Sequence, residues 1–202
     1  MAWMHGYQPQ PFPRQLDRAL LVEGHEIYAT NCASCHGTYD ENINTPSLVS
    51  FPNKSADVGT DARRLELFGQ EVADAVNESV IGSFIHAKTV TEYAVPPLTG
   101  LWSSAPYLHN GSVPTLRALM YPEERPVKFQ VGGHAIDLDT VGVAGAIGTD
   151  GDWHYPADVT PWSIPAEVDS TAYGLGNEGH EAEFAMLNDE EKRALLEYLK
   201  AL

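Results

Sequence analysis

Over residues 15–31 apolar side chains return every third or fourth position, through Leu16, Ala19, Leu20, Ile27 and Tyr28. That period predicts an amphipathic helix running directly into Cys32. Gly24 interrupts it, and because glycine inside a helix costs about 1 kcal/mol relative to alanine, its presence predicts a close crossing with a second helix. The chain ends on such a pattern: Asn188 and Glu191 form a cap-like pair, acidic residues fill the first turn, and Ala194, Leu195, Tyr198, Leu199 and Leu202 make an apolar stripe. Between them, Thr60-Asp61 predicts the cap of a short helix. Residues 70–81 predict another, with Val72, Ala73, Val76 and Val80 on one core-facing side.

The rest of the pattern is irregular. Residues 38–56 have the Asn, Asp, Pro and Ser content of a loop. Residues 121–176 are rich in Gly, Pro, Asp and Thr, with strand-like pieces at 127–131 and 135–138. They read as a long insertion whose Trp153, Trp162 and Tyr173 form a local aromatic core. Residues 1–14, carrying Tyr7, Pro9, Pro11 and Phe12, read as an N-terminal arm or linker that packs on something else, which leaves 15–202 as one domain.

Charge narrows the partners. With 12 basic and 28 acidic residues the formal net charge is -16, which disfavours nucleic acid and anionic membranes and favours a basic partner surface. No apolar run approaches the roughly 18 residues needed to span a bilayer, so no transmembrane segment is expected.

The chemistry concentrates in Asn31-Cys32-Ala33-Ser34-Cys35-His36-Gly37. This is a C-x-x-C-H motif, in which two thiols form thioethers with one covalently attached haem c and the adjacent imidazole reaches the iron. A zinc site would want more thiolates, and Cys32 and Cys35 are the only cysteines. A thioredoxin-like pair would follow a strand, whereas the preceding residues read as helix. Haem attachment in bacteria takes place outside the cytoplasmic membrane, so a periplasmic or extracellular location is expected. Residues 1–13 lack the basic-then-apolar plan of an export signal, and the expectation is that this is a mature form or a piece of a longer polypeptide.

The order Gly24, Tyr28, Cys32, Cys35, His36, with Leu195 and Tyr198 far downstream, resembles the crossed terminal helices of cytochrome c. That resemblance implies a mainly α, cytochrome c-like helical haem domain carrying a long insertion. A second resemblance rests on Tyr93-Ala94-Val95-Pro96-Pro97-Leu98, Trp102, the run from Ala105-Pro106-Tyr107-Leu108-His109-Asn110-Gly111 to Ser112-Val113-Pro114-Thr115-Leu116, and Asn177-Glu178-Gly179-His180. These are similar to the C-terminal haem domain of bacterial dihaem cytochrome c peroxidases and of the rubber oxygenase group. Those enzymes carry two C-x-x-C-H motifs and this chain has one, so the half that binds peroxide or oxygen is not here.

The ligand opposite His36 decides what the iron does. His180 leads: it lies in a glycine-flanked turn, and the rubber oxygenase resemblance makes it the distal ligand. Met120 is the alternative implied by the peroxidases, with Met186 and His109 behind it. His109 fits better as a partner of a haem propionate or of the backbone. His5, His25, His86, His134 and His154 read as ordinary surface residues. Two functions stay open: an electron-transfer haem protein or module with a redox partner or a second haem domain, and part of a peroxidase or oxygenase acting on peroxide or O2. An open iron position with an acid-base group beside it would mark the second.

Overall fold

A computed structural model describes residues 9–133, 135–161 and 164–202. Tyr7, His5, His134 and Trp162 lie outside them. Among the described residues are seven α-helices: α1 (Arg18–Asn31), α2 (Ala33–His36), α3 (Arg63–Leu67), α4 (Gln70–Glu78), α5 (Leu116–Met120), α6 (Glu181–Ala185) and α7 (Asp189–Ala201). Ten strands of two to four residues accompany them: β1 (Thr38–Tyr39), β2 (Leu48–Ser50), β3 (Ser55–Ala56), β4 (Tyr93–Ala94), β5 (Lys128–Val131), β6 (Ile136–Asp137), β7 (Gly142–Val143), β8 (Ala146–Ile147), β9 (Trp153–His154) and β10 (Ala166–Asp169). They pair antiparallel as β1-β2, β3-β4, β5-β10, β6-β7 and β8-β9.

The mainly α expectation is therefore corrected: short helices and two-stranded sheets share the fold. The cause is local. Glycines and prolines break the interior too often for a long helix, so the chain satisfies its backbone groups in short antiparallel pairs. Residues 121–176 are built this way, with β5 and β10 in register so that Phe129 lies opposite Val168. Phe129 is buried and meets the Trp153 ring edge-on at 5.9 Å, while Tyr173 is exposed.

The terminal helices do cross. Asp17 caps α1 by accepting from the Ala19 and Leu20 N–H groups, and Asn188 with Glu191 forms a full capping box on α7. At the crossing, a Cβ built on Gly24 would stand 2.1 Å from the Ala194 carbonyl oxygen and 2.8 Å from Tyr198 Cβ. A backbone atom cannot step aside, so glycine is required. Gly24→Ala is expected to cost about 3 kcal/mol through overpacking, read as a lowered melting temperature; an unchanged melt would contradict the contact. Beside it Tyr28 packs on Tyr198, ring centres 5.4 Å apart, and donates its hydroxyl to the Gly37 carbonyl at 2.9 Å. The crossing thus holds the end of the Cys32–His36 turn.

Two other expectations change. The 70–81 helix ends at Glu78, and of its core-facing side only Ala73 is buried; Val80 is 81% exposed and Phe84 83%. Asp61 does accept from the Arg63 N–H at 2.8 Å, but Thr60 points elsewhere. Of the arm, residues 9–14 lie along the domain: Phe12 meets Trp102 edge-on and the Gln10 carbonyl accepts from the Trp102 indole at 2.9 Å.

Candidate functional site

Cys32 closes α1, its N–H donating to the Tyr28 carbonyl at 2.9 Å, and the single turn of α2 then presents Cys35 and His36. Both cysteines are free, half-buried and border one cavity of about 360 Å³. That volume falls in the range of about 300–1,000 Å³ typical of cofactor sites. Its walls are largely aliphatic, including Leu98, Leu101, Leu116, Leu195 and Leu199. Burial, with smaller contributions from Cys35 and Glu183, pushes the Cys32 thiol up to about 12. A thiol held that high stays protonated at neutral pH.

His36 and His180 both line this cavity. Their ring centres are 6.2 Å apart with planes 24° from parallel. Two metal–nitrogen bonds of about 2 Å each, plus about 1 Å from nitrogen to ring centre on either side, would separate two imidazoles on one iron by roughly 6 Å. The His36 Nδ1 is engaged by the Pro96 carbonyl at 2.8 Å, which as donor fixes the tautomer and leaves Nε2 with its lone pair. Burial holds His36 below its ordinary pKa, against the pull of the Pro96 bond. Burial, then the neighbouring His36, does the same for His180, whose Nδ1 is buried without a partner. Burial thus favours the neutral form of both rings, the form that binds metal.

His180 sits in the left-handed region at φ 68°, directly after Gly179 at φ 136°, and caps α6. Its N–H donates to the Val58 carbonyl at 2.8 Å. The run around His109 is tied to the same region: Asn110 Nδ2 donates to the Gly174 and Gly176 carbonyls at 3.2 and 2.8 Å, and Ser112 Oγ donates to Gly176 O at 2.8 Å. Two sequence motifs far apart in the chain meet here. His109 also lines the cavity, stacked on Tyr93 at 3.9 Å with Nδ1 3.3 Å from Thr60 Oγ1, and its Nε2 is buried without a partner.

Met120 lies elsewhere. It is 1% exposed, inside the core, and does not border the cavity, whereas Leu116 and Leu119 of the same segment do. Met186 is 68% exposed. Several residues of the site carry no signal in the sequence. The Pro96 carbonyl and the Val58 carbonyl act through backbone, and Glu183, whose Oε2 is buried and unpartnered at the cavity, reads as one more acid among 28 acidic residues.

Two thiols, two imidazoles and orphaned polar atoms around an aliphatic cavity fit a haem. Comparison with known proteins points the same way. Residues 92–130 match the family described as RoxA-like, cytochrome c-like. Over that stretch the chain resembles a cytochrome c-like domain, a likeness that supports haem binding. It is 32% identical over 160 residues to uncharacterized protein y4iM of Sinorhizobium fredii (strain NBRC 101917 / NGR234), covering 70% of this chain and 37% of that protein. To uncharacterized protein y4iJ of the same strain it is 26% identical over 263 aligned residues, covering 98% of this chain and 42% of that protein. The chain thus spans about two fifths of the length of these relatives.

Proposed function

We propose that the chain is an electron-transfer module holding one haem c, attached through Cys32 and Cys35 and ligated by His36 and His180. The observation that carries this reading is the pair of imidazoles 6.2 Å apart on one largely apolar cavity. Haem bound there supplies a one-electron iron couple, whose potential two histidines set below that of a histidine–methionine pair. The protein's part is positional. Pro96 orients His36, the Gly179-His180 turn presents the second imidazole, and the leucines give the cavity a largely apolar lining. With Thr60 as the donor to Nδ1, His109 would carry its proton on the unpartnered Nε2 and offer it to an anionic edge of the ligand such as a propionate.

The acidity of the chain favours a redox partner with a basic surface. A location outside the cytoplasmic membrane accords with where covalent haem attachment occurs and with the cytochrome c-like match; no helix among the described residues is long and apolar enough to cross a membrane. The RoxA-like description of the matched family favours a second reading, in which the module feeds electrons to a peroxidase or oxygenase acting on peroxide or O2.

The test is the ferric absorption spectrum with cyanide titration. A low-spin spectrum that cyanide leaves unchanged is expected. A high-spin wild type that turns over peroxide or O2 by itself would overturn the carrier reading. Electron exchange with a basic small redox protein should slow severalfold as salt rises and the Debye length falls from about 30 Å at 0.01 M to about 10 Å at 0.1 M. A salt-independent rate would remove the basic-partner proposal.

A further inference from the structure

We propose that Arg125 is the positioning residue for His180, an assignment that rests on the ligand reading above. The Arg125 side chain is 4% exposed, and its guanidinium has five N–H donors. All five are used. Nε donates to Ala118 O at 3.1 Å and Nη2 to Leu119 O at 2.9 Å, satisfying carbonyls at the end of α5. Nη2 donates also to Gly179 O at 3.0 Å, while Nη1 donates to Asn177 O at 2.6 Å and to the Glu181 carboxylate. The last three acceptors bracket His180 on both sides.

The arrangement answers a specific cost. A non-glycine residue in the left-handed region stores on the order of 1 kcal/mol and persists only where its surroundings over-determine it. Here Glu181 accepts from the Gly179 N–H through both oxygens, at 2.9 and 2.8 Å. The same carboxylate also pairs with the Arg125 guanidinium. The Arg125–Glu181 pair is thus a charged clamp closed around the turn. Its other end grips α5, whose Leu116 and Leu119 form part of the cavity wall. One side chain therefore fixes the second imidazole relative to the wall it faces. Lysine could restore the charge but not the planar fork, which here makes five directed bonds.

The test compares haem-loaded wild type with Arg125→Lys, Arg125→Met and the milder Glu181→Gln. Loosening the turn raises the fraction of molecules with His180 displaced, and apparent cyanide affinity rises in proportion to that fraction. We expect a gain of about tenfold or more in both Arg125 variants, with some high-spin absorption that added imidazole removes. Leu21→Ala, in the helix crossing and away from the cavity, serves as a destabilised control and should keep the wild-type spectrum and cyanide response. Wild-type cyanide affinity in the Arg125 variants or, should these not fold, in Glu181→Gln, alongside a changed His180→Ala spectrum, would overturn the positioning role alone. An unchanged His180→Ala spectrum would instead overturn the ligand reading. A cyanide response that merely tracks melting temperature, appearing equally in Leu21→Ala, would make Arg125 structural only and refute the proposal.

Discussion

Cys32→Ala combined with Cys35→Ala is expected to yield a chain that retains no haem after denaturing electrophoresis or extraction with acidified solvent. The two thiols border the cavity within one turn of chain, so each single variant should keep one thioether and stain weakly, while the double variant keeps none. Stability should fall with it. Leu98, Leu101, Leu195 and Leu199 face the cavity, and side chains that lose their packing partner forfeit several kcal/mol unless the site collapses. Haem staining that survives in the double variant would refute covalent attachment at these positions.

The second large effect concerns His180. In His180→Ala the haem-loaded protein should turn from low-spin to high-spin, and should bind cyanide that the wild type refuses. The backbone supports this separation of roles: the turn is held by the Val58 carbonyl and by the Arg125 and Glu181 bonds around it, not by the imidazole, whose Nδ1 has no partner. The substitution thus removes a ligand while leaving the fold, and alanine at φ 68° keeps the strain already present. Met120→Leu gives the contrast. Being buried away from the cavity, this residue should change the melt by under about 1.5 kcal/mol as a volume-conserving swap and leave the spectrum alone. Should Met120→Leu alter the spectrum and His180→Ala not, the ligand assignment would be reversed.

What was legible in the sequence follows from range. The terminal helices carry a strong period and good caps, and Gly24 announces their crossing because a glycine there has no local purpose. Cys32, Cys35 and His36 are neighbours in sequence, so the C-x-x-C-H motif and its place on one cavity wall could be anticipated together. The mainly α expectation failed in the interior, where turn-forming residues signal only that helices stop. They do not say which short strands then pair, since β3 with β4 and β5 with β10 join segments more than thirty residues apart. The 70–81 helix misled for another reason. Its period is real, but of the apolar side only Ala73 is buried while Val72 and Val80 are exposed, and periodicity predicts a face without predicting what covers it. Arg125 was invisible because its five acceptors include four backbone carbonyls, which no residue type reveals.

The Gly24 crossing also has a consequence for biosynthesis. A ribosome or a translocation pore delivers α1, with the cysteines just behind it, long before α7 at Asp189 exists to pack on it. An isolated helix of 14 residues is marginal in water, and closing so long a loop is entropically slow. During that interval Cys32 and Cys35 sit on a segment without its packing partner. Once α7 docks through Ala194 and Tyr198, Tyr28 is fixed and its hydroxyl pins Gly37, so the Cys32–His36 turn takes its final shape only when the last helix arrives.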